Sequence, residues 1–207
     1  MVYQQVVKEK FMKKIVLASG SPRRKEILEK IGLNFVIDPA QDFKEIHPEN
    51  HSPKALLELN ALGKAREVSS RHENSLILGV DTIGVFRGEI LEKPKDRADA
   101  IRMISILEGE VHEVWTAMAL IDTETGKERI VIEKTKITFA ELTNKEIEQY
   151  VDFDESMDKA AAYAAQGKAA LFIKGFEGDY LNVVGLPLAR LNEVLKEFDF
   201  HILDNVE

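Results

Sequence analysis

The residues with chemistry to offer begin at the stretch LASGSPRRKEIL, 17–28, which carries Ser19, Arg23 and Arg24. An apolar run from Ile15 to Ala18 stops at Ser19-Gly20-Ser21, and Pro22 opens a segment with helical apolar spacing at Ile27, Leu28 and Ile31. This reads as strand, tight turn and helix. Ser21 is expected to cap the helix through its hydroxyl, and Pro22 suits the first helical position. Arg23 and Arg24 then fall in the first turn, where the helix dipole is positive and each cation costs about 0.3–1 kcal/mol. A bound anion would reverse that sign. Taken alone, the stretch leaves two readings open: a capped helix with solvated or ion-paired arginines, and a phosphate site at a helix N-terminus.

Further charged residues come from separate segments. Glu45 lies in a polar loop, DPAQDFKEIHPENHSP, and Lys64 on the later turns of a helix that Pro53 starts, with apolar or small residues at Leu56, Leu59, Leu62, Ala65 and Val68. Asp81-Thr82 interrupts the apolar run Leu76 to Val80 before Ile83 to Phe86 continues, which places Asp81 at a strand end. A carboxylate there is costly unless it is paired or ligating. Arg87-Gly88 turns the chain back through Glu89 to Lys93, so a hairpin should bring Lys93 close to Asp81. Judged singly, Lys64 reads as a solvated helix lysine, Lys93 as a strand-end solubiliser and Glu45 as loop acidity. Together they suit a triphosphate with a divalent cation. Phosphoanhydride cleavage needs cations to balance charge, a metal to bridge oxygens, and a base to position water. Arginine can grip phosphate bidentately, whereas Lys64 and Lys93 act as point charges. Asp81 is the best base or metal ligand.

The elements that must position these groups follow an α/β order. A short strand at 34–37 follows Gly32, and Asp96 or Asp99 begins a helix that Gly109 ends. Long alternating strands at 111–121 and 128–139 flank the turn DTETGK as an antiparallel arm or sheet edge. Thr143 and Glu146 make a capping box for a helix through Tyr150. Then come KAAAYAAQGKAA, a strand at 171–173, the turn-rich FEGDYLNVVGLP, and a closing helix from Pro187 with Leu188, Leu191, Val194, Leu195 and Phe198 on its apolar face. His112 reads as structural, and Asp122 and Glu124 as turn residues. The segment 1–11 is expected to be an extension, with 12–207 one domain.

The 207 residues carry a net charge of -8 without blocks of like charge, which argues against general binding to nucleic acid or anionic membranes. Any phosphate affinity must be local. The chain has no cysteine, and its five histidines lack zinc-type spacing, leaving a hard, oxygen-bound cation as the metal to consider. Its opening residues lack the apolar core of a signal peptide, so a cytoplasmic location is expected.

ASGSPRR at 18–24, GVDT at 79–82 followed by ILEKP at 90–94, and DKAAAYAAQG at 158–167 followed by GDYLNVVGLPL at 178–188 together resemble the Maf family, also called septum formation inhibitor Maf. The resemblance runs from about Ile15 to Phe198. It implies an inosine-triphosphatase-like fold, a mixed β-sheet flanked by helices in a two-lobed single domain, and a homodimer. It also implies a nucleoside triphosphate pyrophosphatase that uses Mg²⁺ or Mn²⁺, with dTTP and UTP as substrates and modified pyrimidine triphosphates as further candidates.

Residue by residue, the resemblance puts Ser19, Arg23 and Arg24 in the phosphate-binding turn. It makes Glu45 a catalytic or metal-associated carboxylate, Lys64 and Lys93 the family's lysines, and Asp81 the proton acceptor and a metal ligand. Substrate choice maps to Arg23, Thr82 and Gln166. An amide at Gln166 can both donate to and accept from a pyrimidine edge. The chain departs from the family's KAGAYGIQG at Ala161 and Ala164. Alanine is expected to forbid any positive φ that glycine would allow there, stiffening the base-reading loop. Two rivals remain: a nucleotide-sensing regulator of cell division that binds triphosphate without turnover, and a sugar nucleotidyltransferase, which normally has a more glycine-rich turn.

Overall fold

The computed structural model describes residues 13–49, 51–153 and 155–206, so the expected extension at 1–11 lies outside the described residues. The chain opens with β1 (Lys14–Leu17), α1 (Pro22–Lys30) and β2 (Phe35–Ile37), and α2 (Pro53–Ser69) leads into β3 (Ser75–Phe86). β4 (Glu89–Leu91), α3 (Arg97–Leu107), β5 (Val111–Asp122) and β6 (Glu128–Phe139) follow, then α4 (Asn144–Val151), β7 (Ile173–Glu177), α5 (Tyr180–Val184) and α6 (Leu188–Lys196). The seven strands form one mixed sheet in the order β2-β1-β3-β5-β6-β7, with β4 also paired to β3. β1 is parallel to β2 and β3, and the other pairings are antiparallel.

Alternation along β3 and β5 sends side chains to opposite faces. Val16, Ala18, Ile77, Ile83, Val85, Ala117 and Ala119 meet α2 on one face through Leu56, Leu57, Ala61, Ala65 and Val68. The other face carries two apolar clusters. Ile15, Leu17, Leu78, Val80 and Met118 pack under α1 and α6, while Phe86, Val114, Ile137 and Phe139 pack with α3 and α4. Thr82 of β3 and Thr116 of β5, direct partners in the ladder, fall between those clusters. A polar layer therefore crosses the middle of that face.

Several expectations change. β3 is continuous, so Asp81 stands in mid-strand rather than at a strand end, because β5 pairs with β3 from Leu76 to Val85. The hairpin β5–β6 is antiparallel as expected, but β5 lies inside the sheet and β7 covers β6 from Lys136 to Phe139. Residues 168–171 form a turn of 3-10 helix with Leu171 88% exposed, and the strand starts at Ile173, where pairing with Phe139 becomes available. The turn-rich segment after it contains α5, started by the Asp179 side chain on the Leu181 N–H and ended by Gly185 at φ 118°. On α2, Leu59 is exposed while Leu57 and Ala61 face the core. The Thr143–Glu146 capping box forms as the sequence indicates.

The alanine expectation holds at Ala164, which is not left-handed, and fails at Ala161. Ala161 and its neighbour Ala162 both take left-handed φ, at 58° and 62°, while fully buried in the second apolar cluster. Left-handed backbone costs an alanine roughly 1–2 kcal/mol, so the packing around 161–162 overrides a local preference.

Candidate active site

β1 ends its pairing with β3 at Leu78, where the Ala18 N–H donates to the Leu78 carbonyl, and β4 begins its pairing at Gly84. Between them, Gly79 to Ile83 lack a strand neighbour on that side among the described residues, although β5 holds the other side throughout. Asp81 and Thr82 sit in this opening and point to opposite faces of the sheet.

α2 builds the Asp81 side. Lys64 Nζ lies 2.8 Å from Asp81 Oδ1 and 2.6 Å from Glu45 Oε1. The Lys64 and Asp81 side chains are each 13% exposed, so solvent screens the pair little. Backbone contact makes this reach possible: a Cβ on Gly79 would stand 2.1 Å from the Ala61 carbonyl, so only glycine lets α2 sit this close to β3. The same helix holds the loop bearing Glu45. Buried Asn60 accepts from the Ile46 N–H at 2.8 Å and donates to the Ile46 carbonyl at 3.1 Å. Glu67 accepts from the N–H groups of Gln41, Asp42 and Phe43. Burial raises the Glu45 proton affinity, but the hydrogen bond and charge of Lys64, with the charges of Lys93 and Arg24, outweigh it and hold the carboxyl below its ordinary range. Lys93 thus acts on Glu45. It makes no ion pair with Asp81 among the described residues, so the expected Lys93–Asp81 proximity appears only as a shared neighbourhood around Glu45.

α1 builds the other side. Ser21 occupies the N-cap position, yet its hydroxyl makes no capping bond, contrary to expectation. Its N–H donates instead to Ser19 Oγ at 3.3 Å, leaving the first-turn N–H groups of α1 without a side-chain cap. Arg24 turns into the opening. Its Nη1 donates to Ser19 Oγ at 2.8 Å and to the Val80 carbonyl at 3.1 Å, its Nε to the Gly185 carbonyl at 3.0 Å, and its Nη2 to Thr82 Oγ1 at 3.0 Å. Four of its five N–H groups are therefore taken by protein acceptors. Burial pushes the guanidinium pKa down to about 10, with Asp81 and Glu45 opposing and Arg23 adding to the fall, so Arg24 stays charged at neutral pH. Ser19 Oγ already accepts two hydrogen bonds, and its own proton remains to be donated outward.

Arg23 lies close enough to act electrostatically on Arg24 and on Asp158 of the segment leading to Gln166. Gln166 itself is exposed in a turn whose flanks are fixed. Tyr150 Oη accepts from the Ala164 N–H at 3.2 Å, and Glu155 accepts from the Lys168 N–H at 2.8 Å and Lys168 Nζ at 2.7 Å. The structure thus joins Glu45, Lys64 and Asp81 in one ion-pair cluster and Ser19, Arg24 and Thr82 in one hydrogen-bond network. Arg23 and Lys93 stand at electrostatic range, and no bond ties Gln166 to either group among the described residues.

Sequence reasoning missed Asn60, Thr116, Asn182 and the Gly185 carbonyl. Asn60 on the apolar face of α2 was a usable signal, since a buried amide needs partners. Thr116 emerges only once the register with Thr82 is known.

A family model described as Maf-like protein matches residues 14–198. Relatives named dTTP/UTP pyrophosphatase align nearly end to end. The one from Pelotomaculum thermopropionicum is 46% identical over 93% of this chain and 100% of its own length. That from Bacillus cytotoxicus is 46% identical over 91% and 97%, and that from Moorella thermoacetica 43% over 94% and 100%. A solved structure titled nucleoside-triphosphatase / dITP/XTP pyrophosphatase, from Mycobacterium abscessus, overlaps at a TM-score of 0.39 and 21% identity, over 62% of this chain and 75% of that one. With its whole described fold inside the matched span apart from the C-terminal residues, this chain belongs to the Maf-like protein family.

Proposed function

We propose that the protein hydrolyses dTTP and UTP between the α and β phosphates, releasing the nucleoside monophosphate and pyrophosphate. The observation that carries this reading is the Glu45–Lys64–Asp81 cluster set in the opening of β3, beside an uncapped helix start bearing two arginines. The names of relatives at 43–46% identity support the substrate.

Asp81 is the base. Lys64 holds its Oδ1, which leaves Oδ2 to take the proton of the attacking water. Ser19 donates its remaining hydroxyl proton to a phosphate oxygen. The first-turn N–H groups of α1, Arg23 and Lys93 balance phosphate charge, and Arg24 adds a fixed charge with one N–H to spare. Gln166 reads the base edge.

Among the described residues, no group of three or more His, Cys, Asp or Glu could hold a metal ion alone. Two carboxylates completed by phosphate oxygens and water are nonetheless a donor set that suits Mg²⁺ or Mn²⁺. Glu45 and Asp81 would hold it, and the bound cation would neutralise phosphate charge. We take the protein to work as a cytoplasmic homodimer, as the resemblance implies. Light scattering of the purified protein and cell fractionation check those two points.

Purified protein incubated with each triphosphate and Mg²⁺ or Mn²⁺ should form pyrophosphate from dTTP and UTP. Tight binding without pyrophosphate from any triphosphate would overturn the reading in favour of a sensor. Asp81→Asn should lower kcat about 100-fold or more with an unchanged circular dichroism spectrum. Undiminished turnover removes Asp81 from the chemistry.

A further inference from the structure

Thr116 is fully buried, yet its hydroxyl sits one step behind the site. Thr116 Oγ1 lies 2.9 Å from Thr82 Oγ1 and 3.1 Å from the carbonyl of Asn182, while Arg24 Nη2 lies 3.0 Å from Thr82 Oγ1. The two ends of this chain of contacts have fixed chemistry. A guanidinium can only donate, and a carbonyl can only accept. With both ends satisfied, each hydroxyl must point its proton the same way: Arg24 donates to Thr82, Thr82 to Thr116, and Thr116 to Asn182. The proton of Thr82 is thereby turned inward. What Thr82 retains for anything in the opening is one oxygen lone pair.

The anchor is itself held. The Asn182 side chain donates to the Val114 carbonyl at 2.9 Å and to Thr135 Oγ1 at 3.0 Å, and Thr135 donates onward to the Asp179 carbonyl at 2.8 Å. These bonds fasten α5 to β5 and β6, so the accepting carbonyl cannot swing away. The Gly185 carbonyl, at the end of the same helix, receives Arg24 Nε. One short helix therefore orients both the arginine and the threonine.

We propose that Thr116 is a specificity-determining positioning residue: by taking the proton of Thr82, it makes Thr82 an obligate acceptor facing the nucleotide. An acceptor suits the N3–H of uracil and thymine and opposes the unprotonated N3 of cytosine. The proposal rests on the pyrophosphatase reading above and on Thr82 facing the nucleotide, as the family resemblance implies in mapping substrate choice to Thr82. In Thr116→Val the shape is kept and the proton's destination is lost, so Thr82 can rotate and donate. Thr116→Ser keeps the hydroxyl.

The test compares binding of non-hydrolysable α,β-imido analogues of UTP and CTP by calorimetry, and kcat/KM for UTP and CTP, in wild type, Thr116→Val and Thr116→Ser. Wild type should prefer the uracil nucleotide, Thr116→Val should narrow that preference roughly tenfold, the effect of one hydrogen bond, and Thr116→Ser should restore it. A general loosening of the fold would weaken both nucleotides alike and leave the ratio unchanged, which overturns the proposal. So does a wild type that binds both analogues equally, or a Thr116→Ser that loses the preference as Thr116→Val does. A wild type that binds neither analogue overturns the underlying nucleotide reading instead.

Discussion

The protein should lose stability in mild acid through one residue remote from the ion-pair cluster, His112. Its ring packs edge-on against Phe139 at 4.7 Å and Tyr163 at 5.3 Å, with Nε2 2.7 Å from Tyr163 Oη and Nδ1 buried without a hydrogen-bond partner among the described residues. Burial also raises the Tyr163 hydroxyl pKa, which keeps that group protonated. Among the described residues no carboxylate offsets a charge on the ring, and burial pushes the His112 pKa from 6.5 down to about 4. In the unfolded chain the same histidine titrates at its ordinary value. Between those values the unfolded state binds a proton that the folded state refuses, so stability is full above the unfolded pKa and falls as pH falls towards the folded one. The whole shift corresponds to on the order of 3 kcal/mol, of which about 2 kcal/mol is lost between pH 7 and pH 5. Carboxylates held below their ordinary range, such as Asp38 and Asp122, lose their contribution only in stronger acid, which keeps the two effects apart. Urea unfolding followed by Trp115 fluorescence across that pH range measures the slope. His112→Phe keeps the aromatic packing and should flatten it, whatever its constant offset in stability. Equal slopes in the two proteins would refute the argument, as would a His112 ring that titrates near its ordinary value by NMR.

Two further substitutions probe how backbone geometry positions the site. Gly79→Ala drives a methyl to 2.1 Å from the Ala61 carbonyl and 2.8 Å from the Ala65 amide nitrogen, so α2 must move. A loss of about 3 kcal/mol is expected in thermal or urea unfolding, with a fall in activity as Lys64 leaves Asp81; a wild-type melting curve would show that the close approach is dispensable. Ala161→Gly should leave stability within about 0.5 kcal/mol of wild type, because relief of the left-handed φ offsets the lost buried methyl. Ala61→Gly, on the buried face of α2, should cost about 1.5 kcal/mol or more, and equal costs at the two positions would refute the strain argument.

Where one physical preference dominated a segment, the sequence was readable. Pro22 and Pro53 at helix starts, the Thr143–Glu146 box and the alternation of β5 and β6 each reflect local chemistry that tertiary contacts left in place. Asp81 stood out because a carboxylate among apolar neighbours needs a partner, and Glu45 and Lys64 joined it through the charges that a triphosphate with a cation demands and through the family resemblance. What stayed hidden depends on pairing between distant strands. Asp81 looked like a strand end because polarity breaks the apolar run, whereas β5 carries the ladder past it. The Val80 and Gly185 carbonyls that engage Arg24 could not be read from its neighbours in the chain. The left-handed alanines at 161 and 162 run against local preference, and only the packed cluster around them accounts for that backbone.

The opening at Gly79 to Ile83 has a consequence for the protein when no nucleotide is bound. It is a stretch of sheet edge without a strand partner among the described residues, half-buried at Asp81 and Thr82, and unpaired edges invite a strand from another chain to add to them. β1 and β4 close it at both ends, and the Arg24 guanidinium occupies the Val80 carbonyl where an incoming strand would have to donate. Five residues with a charge across the middle cannot template a second chain. The arginine that helps make the site is on this view also a guard against aggregation, so its loss should be felt in solubility during synthesis as well as in turnover.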